Sequence, residues 1–202
     1  AEFIGDESTS IPDNVQAHLL VEVDGNHDDV LMQDCEKIMH TVENFGALEV
    51  LFADSQAQKD KLWNLRRKVG EAVKSQSVYK EEDTVVPRYQ LPQLLNGVKA
   101  IGRKFGFHSV CYGHAGDGNL HINIIKGDLT EDVWVNQLPI AIREIFELTV
   151  ALGGTISGEH GIGYVQKEFM DIPFSKTELG LMNAIKNVFD PKGILNPGKI
   201  LI

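Results

Sequence analysis

The chain has 202 residues, with 19 basic against 29 acidic side chains and a formal charge of −10. Roughly 150 residues per domain makes this one large domain or two small ones, and the acidic balance argues against nucleic acid and anionic membranes as partners. Hydrophobic residues at 43% and charged residues at 24% exclude a disordered chain, and no apolar run nears the ~20 residues that span a bilayer.

Residues 5–14 (GDESTSIPDN) are turn-forming and read as an exposed loop. Ala17 to Val23 is an apolar, β-branched run that stops at Asp24-Gly25, which predicts a strand. Apolar residues then recur at helical spacing over 27–45, closed by Gly46. Leu48 to Phe52 predicts a second strand, and Ser55 to Lys74 an amphipathic helix with Leu62, Leu65, Val69 and Val73 on one face. A strand over Val78–Val86 and a helix over Leu91–Phe105, ended by Gly106, come next. Phe107–Tyr112 and Leu120–Ile125 read as strands flanking a glycine-rich turn. Thr130 to Leu152 is a long helical segment with Pro139 as its break or kink. After a second glycine cluster, Lys176 to Phe189 forms the last helix and Ile194 to Ile202 an extended tail. The fold class is α+β, ferredoxin-like: two βαβ-type halves share a mostly antiparallel sheet with helices packed on it, as one unit.

No basic-plus-apolar leader opens the chain, so no signal peptide is expected. Cys35 and Cys111 cannot form a disulfide framework and fit a reducing compartment. The expected location is cytoplasmic, with a peripheral place at the inner membrane as a variant. A start at Ala1, inside an apolar phrase, reads as a fragment or a processed chain.

Chemistry concentrates in two glycine-rich stretches. In Cys111–Asn123 an Asp117-Gly118 pair between strand-like runs signals a two-residue hairpin turn. That register sets His114 directly across from His121. Tyr112, His114, His121 and Asn123 then share one face, and Cys111, Ala115, Leu120, Ile122 and Ile124 the other. Two imidazoles so placed can share a metal ion; the plain alternative is a pair of hydrogen-bonded histidines on a half-exposed sheet. The second stretch, 153–163, has five glycines in eleven residues and supplies Glu159 and His160. Glu159 could complete a His-His-carboxylate set with one position open, leaving His160 as general base; the alternative is an ordinary helix-start turn. Neither stretch is a G-x-G-x-x-G or a P-loop. Among cations suited to a substrate carboxylate, Arg66 lies near the apolar face of its helix, whereas Arg67 and Lys68 point to water.

These residues resemble the C-terminal, substrate-binding domain of FAD-linked oxidases of the vanillyl-alcohol oxidase type. The family includes D-2-hydroxyglutarate dehydrogenase, D-lactate dehydrogenase and the glycolate oxidase flavoprotein subunit. The likeness rests on LWNLRRKVGEA (62–72), GHAGDGNLHIN (113–123), SGEHGIG (157–163) and FDPKGILNPGK (189–199), in the family's order. It implies a divalent metal, zinc as a rule, on His114, His121 and Glu159, with His160 taking the substrate hydroxyl proton. It implies Arg66 at the substrate carboxylate, Lys80 and Asn123 lining the pocket, and Asn196 near the flavin. Hydride from the substrate goes to FAD, which is bound mainly by an N-terminal domain that these 202 residues do not include. The implied partners are a small-molecule 2-hydroxy acid, the FAD domain of the same polypeptide, an electron acceptor the motifs do not name and, as one assembly, a homodimer. Gly70 stands where some relatives carry threonine, which counts against a glutarate-like substrate. A metal-dependent hydrolase and a non-catalytic ferredoxin-like binding module are the competing readings.

Overall fold

The computed structural model describes residues 15–201; the loop expected over 5–14 lies outside them. The chain divides into two compact units, one up to Ser75 and one from Gln76 onward, where the sequence had predicted one.

The first unit carries α1 (Asp28–Asn44) and α2 (Gln56–Gln76). Gly46 ends α1 with φ 80°, its N–H bonded to the Glu43 carbonyl. The strands expected at Ala17–Val23 and Leu48–Phe52 do not form. A strand needs a ladder partner for its N–H and C=O groups. Among the described residues this unit offers none, and Leu19, Leu48 and Leu51 stay about two-thirds exposed (66%, 67% and 68%). The predicted sheet shared by two halves is therefore replaced by a sheet in the second unit alone.

That sheet has four antiparallel strands: β1 (Tyr79–Val85), β2 (His108–Tyr112), β3 (Asn119–Ile125) and β4 (Thr155–Ile156), ordered β2-β3-β1-β4. Two helices interrupt the strand sequence, α3 (Leu91–Phe105) after β1 and α4 (Leu138–Ala151) after β3. Leu94 and Val98 of α3, Ile122 and Ile124 of β3, and Leu138, Ala141, Ile142, Ile145 and Phe146 of α4 form one buried cluster. Apart from Ala141, each such side chain gains about 1.5–3 kcal/mol on leaving water. Ile122 and Ile124 thus point to the helices, and the period of two turns Asn119, His121 and Asn123 to the opposite face. All six residues Asn119–Ile124 are buried, so the second face is covered as well.

Three local features have identifiable causes. Pro139 marks a break in the helical run over 131–151, as expected, in the form of a change of winding. A π-helical turn at Val133–Gln137 precedes it, and the proline falls in the first turn of α4, where no N–H is required. The hairpin loop is longer than two residues: a 3₁₀ turn at Ala115–Asp117 leads into Gly118 at φ 76°. A side chain at 118 would lie 1.9 Å from the Val86 carbonyl, so only glycine fits. Tyr112, not His114, faces His121. The expected register is off by two residues, which preserves the face of every side chain. Finally, α5 (Lys176–Phe189) is capped by Ser175 with Glu178 in a reciprocal capping box, but the segment after it turns rather than extends. The buried Asp190 carboxylate gathers it by accepting from the N–H groups of Ile194 and Leu195, both at 2.9 Å.

Candidate metal and substrate site

His121 is the centre of the site. It lies on the inner strand β3, its side chain 6% exposed, while those of His114, Glu159 and His160 are about half exposed (53%, 47% and 51%). Its Nε2 is 2.9 Å from Glu159 Oε1. His114 Nε2 and His160 Nε2 each lie 4.0 Å from that same oxygen. His114 gets there through the turn: its carbonyl accepts from the N–H groups of Asp117 and Asn119, which folds the loop back over β3. The His121 and His160 rings are 4.8 Å apart and tilted by 35°.

Two overlapping donor groups result. His114, His121 and Glu159 form one, Glu81, His121 and His160 the other, with the donor atoms of each within 4.8 Å of one another. Zinc bonds of 2.0–2.2 Å would set any two ligand atoms at most about 4.4 Å apart. The first group therefore fits a small divalent ion with slight closure, and its donor chemistry of two imidazoles and a carboxylate is that of a catalytic site with an open position. Orphaned polar atoms point the same way. Both amide atoms of the fully buried Asn123 lack a hydrogen-bond partner. Buried polar atoms without partners are costly and mark places where a ligand completes the bonding.

Strand β1 supplies two residues that the motifs did not reveal. Glu81 and Asp83 stand opposite Asn123 and His121 on the site face. Glu81 Oε1 is 3.5 Å from His121 Nδ1. Asp83 is 2% exposed and takes the N–H groups of Glu159 and His160 on one carboxylate oxygen, at 2.7 and 2.8 Å. Burial acts to raise its carboxyl; the bonds from His160, Glu159 and Asn119 outweigh that and hold it below the ordinary aspartate value. The available signal was the run Glu81-Glu82-Asp83, three acidic residues inside a strand, where such residues are depleted.

The other expected residues separate. Lys80 pairs with Ile124 and so belongs to the helix-covered face, its Nζ 5.6 Å from the Trp134 ring centre. Sequence had placed it in the pocket; the period of two puts Glu81 there instead. Arg66 belongs to α2 in the first unit, where it is half-buried while Arg67 and Lys68 are exposed. Asn196 sits in a turn of the C-terminal segment at φ 46°, where its backbone carbonyl accepts from the Lys199 N–H, and is not part of the histidine cluster.

A family model described as FAD linked oxidases, C-terminal domain, matches residues 2–200. The chain is 35% identical over 187 residues to D-lactate dehydrogenase of Anaerostipes hadrus, covering 92% of this chain and 39% of that protein. It is 32% identical over 199 residues to D-2-hydroxyglutarate dehydrogenase of Stutzerimonas stutzeri, covering 97% and 43%. Glycolate oxidase subunit GlcD of Escherichia coli is 36% identical over 189 residues, covering 93% and 38%. The chain thus spans about two-fifths of the length of these curated relatives. No helix among the described residues is long and apolar enough to cross a membrane.

Proposed function

The chain belongs to the family of FAD-linked oxidase C-terminal domains, and from that premise we propose that it is the substrate- and metal-binding part of a flavin-dependent D-2-hydroxy acid dehydrogenase. The observation that carries the proposal is the convergence of the half-exposed His114 and Glu159 on the buried His121 of β3. The named relatives are dehydrogenases and oxidases, which favours this reading over a hydrolase. The order β1-α3-β2-β3-α4-β4 with strands arranged β2-β3-β1-β4 supports a ferredoxin-like description of the second unit.

His114 Nε2, His121 Nε2 and a Glu159 oxygen would hold the ion, which supplies Lewis-acid polarisation of the substrate hydroxyl. Glu81 stands where it can take the Nδ1–H of His121 and leave Nε2 free to coordinate. His160, half exposed and with its Nε2 4.0 Å from Glu159 Oε1, would accept the hydroxyl proton. The Asn123 amide, buried and without hydrogen-bond partners, would orient a substrate oxygen. The described residues have no glycine-rich phosphate loop leading from a strand into a helix, so they do not by themselves fit a dinucleotide. We assign the FAD of this family to another domain.

Metal analysis tests the reading. After zinc loading and gel filtration, His121→Ala should lose most bound zinc, whereas His40→Ala, on α1, should match the unaltered chain. Equal zinc in both variants would remove His121 from the ligand set and the reading with it.

A further inference from the structure

We propose that Asp83 is a positioning residue that fixes Glu159 and His160 over His121 by binding their backbone rather than their side chains. The proposal rests on the site reading above and extends it to a group that touches neither metal nor substrate.

Glu159 and His160 lie on a loop, with neither a helix nor a strand to hold them. Loops of this kind are mobile unless their backbone groups are satisfied. Here the satisfying group is a single carboxylate. Asp83 Oδ2 accepts the N–H of Glu159 at 2.7 Å and of His160 at 2.8 Å, with the Ser157 hydroxyl at 3.4 Å. Its backbone carbonyl takes the Ser157 N–H at 2.8 Å. Its other oxygen, Oδ1, takes the Asn119 amide at 2.7 Å. Asn119 is two residues before His121 on β3, and Asp83 is the cross-strand partner of His121. One carboxylate thereby ties the loop bearing two functional groups to the strand bearing the third.

The loop conformation agrees with such a tether. Ser157 sits at φ 60°, a region that disfavours a non-glycine residue. Gly158 follows, and a side chain there would lie 2.4 Å from Asn119 Nδ2 and 3.1 Å from Asp83 Oδ1. The loop is drawn so close to the carboxylate that no larger residue fits between them. Hydrogen bonds to an ionised acceptor are about twice as strong as neutral ones, and a site group misplaced by about 1 Å costs about a hundredfold in rate. A carboxylate, rather than an amide of the same shape, is what this geometry uses.

The test measures amide exchange and metal binding on the 202-residue chain. In the metal-free protein, Asp83→Asn should speed exchange of the Glu159 and His160 amides by about tenfold, relative to amides of β3. Zinc affinity, read by competition with a chromophoric chelator, should fall about 10- to 100-fold, and the visible bands of the Co²⁺ form should shift. Thr84→Val removes a buried hydrogen bond to the Leu120 carbonyl from the same strand and should leave all three readouts in place. Gly158→Ala pushes the loop off the carboxylate without altering charge and should reproduce the Asp83→Asn pattern, which covers the case of an Asp83→Asn chain that fails to fold. Unchanged exchange at Glu159 and His160 in both variants overturns the proposal, as does an equal loss of affinity in Thr84→Val. Zinc binding that is absent from the unaltered chain would sink the metal reading, while the exchange data would still decide the role of Asp83.

Discussion

Replacing Glu82 by glutamine should stabilise the second unit above neutral pH and leave it nearly unchanged in mild acid. Glu82 is 2% exposed, on the helix-covered face of β1 opposite Ile122. Burial pushes its carboxyl from 4.5 up to about 7; the Gln166 amide and Lys80 oppose the rise and Glu81 adds to it. The folded value lies above the unfolded one, so between the two the native state binds more protons. Stability is therefore full below about pH 4.5, falls as pH rises to about 7, and is level beyond. At 1.36 kcal/mol per tenfold change in proton affinity, the gap amounts to about 3 kcal/mol. Glutamine cannot ionise and escapes this loss. Gln166 reinforces the argument: its Nε2 donates to Glu82 Oε2 at 3.3 Å and its Oε1 is buried without a partner. A protonated carboxyl can donate to that oxygen, closing an acid–amide pair, and a carboxylate cannot. Urea unfolding from pH 4.5 to 8.5, followed by circular dichroism, gives the difference between the two chains. A difference that is flat with pH would refute the reasoning, because it would mean that Lys80 keeps Glu82 ionised at no cost.

Three further substitutions probe how the chain is held together. Gly154→Ala places a Cβ 2.1 Å from the Val85 carbonyl and 3.0 Å from that of Thr149, and should cost about 1–3 kcal/mol, whereas Gly116→Ala, with open space around it, should cost little; thermal melts of the pair give the contrast. Ser175→Ala removes the cap of α5, whose hydroxyl accepts from the Glu178 N–H, and should lower stability by about 1 kcal/mol with His121 zinc binding intact.

Sequence patterning made the second unit largely legible. The alternation in β3 and the Gly106 stop after α3 are local signals, and β1, α3, β2, β3 and α5 each stand within two residues of their expected places. The failures are of another kind. Ala17–Val23 and Leu48–Phe52 have strand-like composition, but composition cannot supply the neighbour that a ladder requires. The Asp117-Gly118 pair marked the turn and misled on its length, because Gly118 closes a 3₁₀ turn instead of a two-residue reversal. Two-residue β4 was missed because so short a strand carries no period. At the site, His114, His121 and Glu159 stood out as residue types rich in chemistry. Asp83 did not, since its role lies in contacts to backbone groups 76 and 77 positions away, which no local spacing encodes.

The pairing of β2 with β3 also limits how this hairpin can change over generations. β3 is clasped on both sides and β2 lies at the sheet margin, so a loop that gains or loses residues moves β2. Removal of one codon between Gly113 and Gly118 slides β2 by one step, turning Tyr112 into the apolar interior and bringing Cys111 beside His121. Removal of two restores both side chains to their own sides. Length variation at this hairpin should therefore be inherited in pairs of codons, with single-codon events purged, and natural variants can be counted for that parity.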